Sequence, residues 1–145
     1  MGVSCNTPSA WSSESEPHVR FAHWLIDGGV DVVHGHSSHH ARPIEVYRNR
    51  LILYGCGDFI NDYEGIQGYE RYRGDLALMY FPSFSAATGE LTRLDLTPMQ
   101  IRKMRLIRTS PADSRWMRET LDRISAPYGS HVNLSADGTL MLRWS

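Results

Sequence analysis

The chain has 145 residues, the length of one domain or of a piece of a larger one, and its 41% hydrophobic content is enough for an ordinary buried core. Fifteen basic residues against sixteen acidic ones leave a net charge of −1. That balance lacks the basic field on which nucleic-acid binding depends, so nucleic acid is set aside as a partner. No apolar run approaches the roughly 18 residues of a membrane span, and the first sixteen residues have neither the basic start nor the apolar stretch of a secretory signal. The default expectation is therefore a cytoplasmic chain.

Residues 1–16 carry no periodic apolar pattern and read as a disordered or foreign leader, with the folded body over 17–145. Pro17 suits the first turn of a helix, Val19, Ala22, Leu25 and Ile26 follow helical spacing, and Gly28-Gly29 stops it. Val30–Val33 reads as a strand in a covered sheet, so the class is α/β. Ile44–Tyr47 and Leu51–Tyr54 form a hairpin across Arg48-Asn49-Arg50, followed by a loop over Gly55–Asp62. A second hairpin pairs Leu76–Phe81 with Leu91–Leu96 across Ala87-Thr88-Gly89, and Met99–Ile107 reads as one further strand. Ser110-Pro111 opens a late helix with Ala112, Trp116, Leu121 and Ile124 on one face. His131–Leu134 and Thr139–Trp144 close the chain as a hairpin around Ala136-Asp137-Gly138.

Chemistry concentrates in His34-Gly35-His36-Ser37-Ser38-His39-His40, just past the carboxyl end of the first strand, where open α/β sheets bind ligands. Neutral imidazoles ligate manganese, iron or zinc, and several at close spacing can share an ion. If the strand continues, His34 and His36 share a face; if the chain turns after Gly35, His36 and His39 can converge. His39 and His40 are neighbours and point apart. The plainer alternative is a histidine-rich surface turn. Histidines alone do not complete a catalytic centre, so carboxylates must come from elsewhere.

Gly35-His36-x-x-His39, then Pro43-Ile44-Glu45-Val46-Tyr47, then Leu51-Ile52-Leu53-Tyr54-x-x-Gly57-Asp58-Phe59 resembles the CapA family of poly-γ-glutamate capsule synthesis, within the calcineurin-like metallophosphoesterase superfamily. The resemblance is clear over residues 17–62. It implies a portion of a metallophosphoesterase-like sandwich in which a helix-strand unit is followed by β-hairpins and one late helix. It also implies His36 and His39 as metal ligands, with His34, Glu45 and Asp58 as further ligands or as groups that orient them. The superfamily's early Gly-Asp and Gly-Asn-His-x-x-Asp motifs, which supply bridging ligands, do not occur here. The chain is thus expected to be the C-terminal part of a CapA-like domain without its N-terminal half, carrying an incomplete site for a divalent metal and a phosphoester substrate. The competing expectation is a non-catalytic binding or assembly module for an anionic polymer or a partner protein. Sheet edges left unpaired by the missing half would favour oligomers.

Arg102, Lys103, Arg105 and Arg108 are either an anionic-polymer contact or the wet face of a strand. Tyr63, Tyr69 and Tyr72 either line a groove or belong to a long loop. His18, His23 and His131 are isolated in sequence and receive no role. Cys5 and Cys56 make no disulfide framework, and Cys56 has no partner base in the motif that would make it a nucleophile.

Overall fold

The computed structural model describes residues 14–36, 38–60 and 73–145. Cys5, Ser37, Tyr63, Tyr69 and Tyr72 lie outside the described residues. Helix α1 spans Glu16–Asp27, with Pro17 in its first turn, and buries Ala22 and Ile26. Strand β1, Val32–His34, starts later than the sequence suggests, because the Val30 N–H bonds back to the Leu25 carbonyl at 3.1 Å and holds Val30 in the turn that ends α1.

β1 joins a three-stranded sheet with β2 (Ile44–Tyr47) and β3 (Arg50–Leu53), in the order β1-β3-β2. β3 runs parallel to β1 and antiparallel to β2, turning from β2 through Arg48 and Asn49 at φ 50° and 61°. Leu51 and Ile52 are fully buried on opposite faces of β3. Ile52 packs under Ala22 and Ile26 of α1, while Leu51 and Leu53 enter the main core. The sheet is covered on both faces, as expected, by α1 and by the main core, but β1 itself is more open: Val32 is 38% exposed, and among the described residues β1 pairs only with β3. Among these residues it is an edge strand.

The second sheet contains β4 (Leu76–Phe84), β5 (Leu91–Arg102), β7 (Ser130–Leu134) and β8 (Leu140–Trp144) in the order β4-β5-β8-β7, with β6 (Arg105–Arg108) on the far end of β5. The single strand expected over Met99–Ile107 is two strands. Lys103 and Met104 take φ 48° and 59°, reversing the chain between β5 and β6. Such a two-residue turn is ordinarily signalled by Asn, Asp or Gly, none of which stands here.

Helix α2, Pro111–Ser125, is capped by Ser110, whose hydroxyl accepts the Asp113 N–H, and leads into a 3-10 turn over Ala126–Tyr128. Its buried face is Met117, Thr120, Leu121 and Ile124. Ala112 faces solvent and Trp116 is half-buried at the core margin under Arg73, so the helix face lies to one side of the one expected. The main core takes Ile44, Leu51 and Leu53 from the first sheet, Leu78, Leu94, Leu96, Val132, Leu140 and Leu142 from the second, and Met117, Leu121 and Ile124 from α2. No described helix is long and apolar enough to cross a membrane.

Two side chains at this core give direct tests. The buried Ser125 hydroxyl accepts the Ile44 N–H at 3.1 Å, joining the end of α2 to the start of β2. Ser125→Ala leaves that amide buried and unsatisfied and is expected to cost about 1–3 kcal/mol in urea denaturation; an unchanged midpoint would mean that the amide finds another acceptor. Cys56 lies beside Tyr80, and burial pushes its thiol up to about 11. In a Cys5→Ser background, alkylation at pH 8 should be on the order of a hundredfold slower than for an open thiol. Its rate should climb as pH rises towards that value, because only the thiolate reacts. Fast alkylation at pH 8 would contradict the burial.

Candidate metal centre

The β2–β3 register sets the geometry of the histidine loop. Ile44 pairs with Leu53, and the same antiparallel alignment continues outside the strands through an Ala41–Cys56 bridge, with the Arg42 N–H on the Gly55 carbonyl at 2.8 Å. Carried two residues further, it sets His39 opposite Asp58, and there His39 Nδ1 meets Asp58 Oδ2 at 3.0 Å. Two glycines make this close approach feasible. A side chain at Gly35 would collide with the Tyr54 carbonyl, and Gly57, at φ 76°, lies against the His40 backbone.

With its proton on Nδ1, His39 donates to Asp58, and a carboxylate in that position is what orients a metal-binding imidazole. The His39 side chain is 59% exposed and Asp58 25%, so the pair sits at the surface. His36 is exposed immediately after Gly35. His34, on β1, opens instead into an apolar groove of about 510 Å³ with Val32, Phe59, Phe81 and Phe84. His40 turns the other way, lining a small cavity with Trp116, Met117 and Leu121. Burial, followed by the charges of Arg42 and His39, pushes it down to about 4 against the opposing pull of Asp58, so it is neutral at pH 7.

Glu45 belongs to a different constellation. It is buried on the α1 face of β2, where one oxygen lies 2.8 Å from His23 Nε2 and the other accepts the Tyr54 hydroxyl at 2.6 Å. His23 stacks on Tyr47 with ring centroids 3.8 Å apart. Burial and then the Glu45 carboxylate push the Tyr54 phenol far above its ordinary range, so it is a permanent donor. Alongside, Glu14 receives Arg42 Nε at 2.6 Å, faces His18 Nδ1 at 3.4 Å, and donates its backbone N–H to the Tyr128 hydroxyl at 2.8 Å. Glu14 is thus part of the folded body, although the leader was expected to run to residue 16. Sequence reasoning gave His23 no role because its partners are 22 or more residues away and no local spacing announces them.

The donor set can be tested against a divalent ion. His39, held by the Asp58 carboxylate, and the exposed His36 are of the chemical type that ligates such an ion. Among the described residues, no three His, Cys, Asp or Glu side chains come together as a metal-holding group. A complete coordination sphere would require further ligands from outside this set.

The sequence model of the family described as bacterial capsule synthesis protein PGA_cap matches residues 7–63, which include α1, the histidine loop, Glu45 and Asp58. The match begins inside the segment expected to be a leader. A probable polyglutamine synthesis accessory protein of Mycobacterium tuberculosis is 48% identical over 139 residues, covering 95% of this chain and 37% of the relative. The PGA biosynthesis protein CapA of Bacillus subtilis is 35% identical over 100 residues, 66% of this chain and 24% of that protein. The capsule biosynthesis protein CapA of Bacillus anthracis is 29% identical over 104 residues, 70% of this chain and 23% of that protein. The chain therefore spans about a third of the mycobacterial relative's length, and less of the two CapA proteins. The motif segments and these relatives agree: the chain belongs to the bacterial capsule synthesis family that includes the CapA proteins, and it corresponds to a C-terminal portion of that family.

Proposed function

We propose that this chain is the part of a poly-γ-glutamate capsule biosynthesis protein that contributes His36 and His39 to a divalent-metal site, the remaining ligands coming from the rest of a longer protein. The observation that carries this reading is the His39–Asp58 contact at 3.0 Å, the kind of carboxylate contact that orients a metal-binding imidazole. The family's relatives, whose names place them in capsule or polyglutamine synthesis, support the biological setting. Manganese, iron and zinc all suit imidazole donors.

A bound divalent ion would supply Lewis acidity and an activated water for attack on a phosphoester. This chain's own share is more limited. Asp58 orients the His39 ring through Nδ1, Gly35 lets the loop approach Tyr54, and the buried pairing of β2 with β3 keeps the loop in place. A second reading, a non-catalytic binding or assembly module, draws on the absence of a three-ligand group among the described residues.

Calorimetry with manganese or zinc is the test of the site. The wild-type chain should bind weakly, and His36→Ala or His39→Ala should weaken binding further. Asp58→Asn, which keeps the shape but loses the charge, should cost about tenfold or more. Tight stoichiometric binding that survives both histidine substitutions would place the metal elsewhere.

Turnover of a generic aryl phosphodiester with added manganese tests catalysis. Because a two-metal route needs ligands that hold both ions at a fixed separation, the 145-residue chain is expected to show no significant turnover. A form extended upstream into the family's early motifs is expected to gain it. Robust turnover by the short chain, abolished by His36→Ala, would mean that it builds a complete site.

A further inference from the structure

The β5–β6 hairpin gathers Arg102, Lys103, Arg105 and Arg108 on a chain whose net charge is only −1. Arg102 and Arg105 are the last cross-strand pair before the turn, directly opposite each other. Opposed side chains on one face of an antiparallel pair sit about 4.5–5.5 Å apart at Cβ, and like charges there repel. Among the described residues, Arg20, Arg42, Arg48, Arg50, Arg73, Arg93 and Arg118 each reach a carboxylate within 4 Å, whereas no such ion pair involves Arg102, Arg105 or Arg108 on the hairpin, nor Arg115, Arg123 or Arg143 elsewhere. The Asp137 carboxyl, on the β7–β8 turn, is held below its usual range first by the Thr139 N–H and, least among its influences, by the charge of Arg108.

Arg102, Lys103, Arg105 and Ile107 line one open groove of about 560 Å³. Beside the cations, the hairpin exposes apolar surface that the core does not use: Met104 is 56% and Ile107 41% exposed. The turn holding Lys103 and Met104 is built from two non-glycine residues at positive φ, a conformation disfavoured by their side chains. A repulsive arginine pair on a strained turn is stabilised by an external anion that bridges the guanidinium groups.

We infer that this hairpin groove is a binding site for a carboxylate-bearing polymer, with Arg102 and Arg105 gripping successive carboxylates, Lys103 adding a third cation, and Met104 and Ile107 contacting aliphatic stems. The inference deepens the capsule reading above and rests on it for the identity of the polymer, poly-γ-glutamate, whose repeating unit joins one carboxylate to two methylene groups. Residues 99–108 contain no aromatic side chain on which bases could stack, which sets this surface apart from single-stranded nucleic-acid sites.

Lys103 is the chain's single lysine, which makes the test local. Carbodiimide coupling of poly-γ-glutamate to the wild-type chain should form an amide at Lys103 Nζ, located by peptide mass spectrometry, and Lys103→Arg should abolish that adduct while retaining binding. In fluorescence anisotropy with labelled poly-γ-glutamate, Arg102→Gln with Arg105→Gln should weaken binding on the order of fivefold to tenfold. Arg115→Gln with Arg123→Gln, an equal change in charge at exposed positions on α2, should leave it within about twofold. Rising salt should weaken wild-type binding. Equal losses in the two double variants, or a polymer that binds without coupling at Lys103, would overturn the hairpin site and leave the capsule reading in place. Failure of the wild type to bind poly-γ-glutamate while it binds DNA or polyphosphate through the same arginines would overturn the assignment to carboxylates and count against the capsule reading as well.

Discussion

The antiparallel alignment of β2 with β3 is the constraint from which the candidate centre follows. Its register is held by burial on both faces of β3, where Leu51 and Leu53 enter the main core and Ile52 packs beneath α1. A slip of one residue would exchange the two faces, driving Glu45 into the core and turning Ile44 out of it. The penalty for that slip fixes the alignment, and the alignment, continued through Ala41 and Cys56, sets His39 opposite Asp58. The surface pair is therefore positioned by interior packing a few residues away, which gives a solvent-exposed imidazole a defined direction.

The interface between α1 and the first sheet is built on different physics. Only Ala22 and Ile26 of the helix are buried, too little apolar area to orient it alone. Polar contacts supply the rest: His23 on Glu45, with Tyr54 on the other carboxylate oxygen, and Glu14 tied to Arg42 and Tyr128. Buried carboxylates are costly unless every lone pair is engaged, and removing one partner destabilises more than the pair contributes. Such networks favour one orientation over its neighbours. The outer face of α1 keeps Phe21 and Trp24 stacked and exposed at a centroid distance of 6.0 Å.

β5 links the core to the basic hairpin. Leu91, Leu94 and Leu96 are buried in the middle of the second sheet, and Asp95 and Leu96 pair with β8. The strand then runs past the end of β8 to Arg102, where its remaining partner on that side is β6. Ile101 is still buried one residue before the end of β5, whereas Arg102 and the turn beyond it face solvent, so charge can collect there at little cost to packing. The histidine loop and the basic hairpin are consequently products of separate parts of the fold, one fixed by register and the other released from it.

The sequence by itself determined the α/β class, both helices, three of the hairpins and the position of Gly35-His36-x-x-His39 after a strand, because each is written in local periodicity, caps and turn residues. Family membership was legible for the same reason, through short segments in a fixed order. Tertiary structure alone decided what lies across from what. It set Asp58 against His39, assigned Glu45 to His23 and Tyr54, turned His40 towards α2 and His34 into the groove beside β4, and left β1 at an edge. It also bent the chain at Lys103-Met104, where no turn residue marks the reversal. These outcomes depend on register and on which face is buried, and both are fixed only when distant segments compete for the same core.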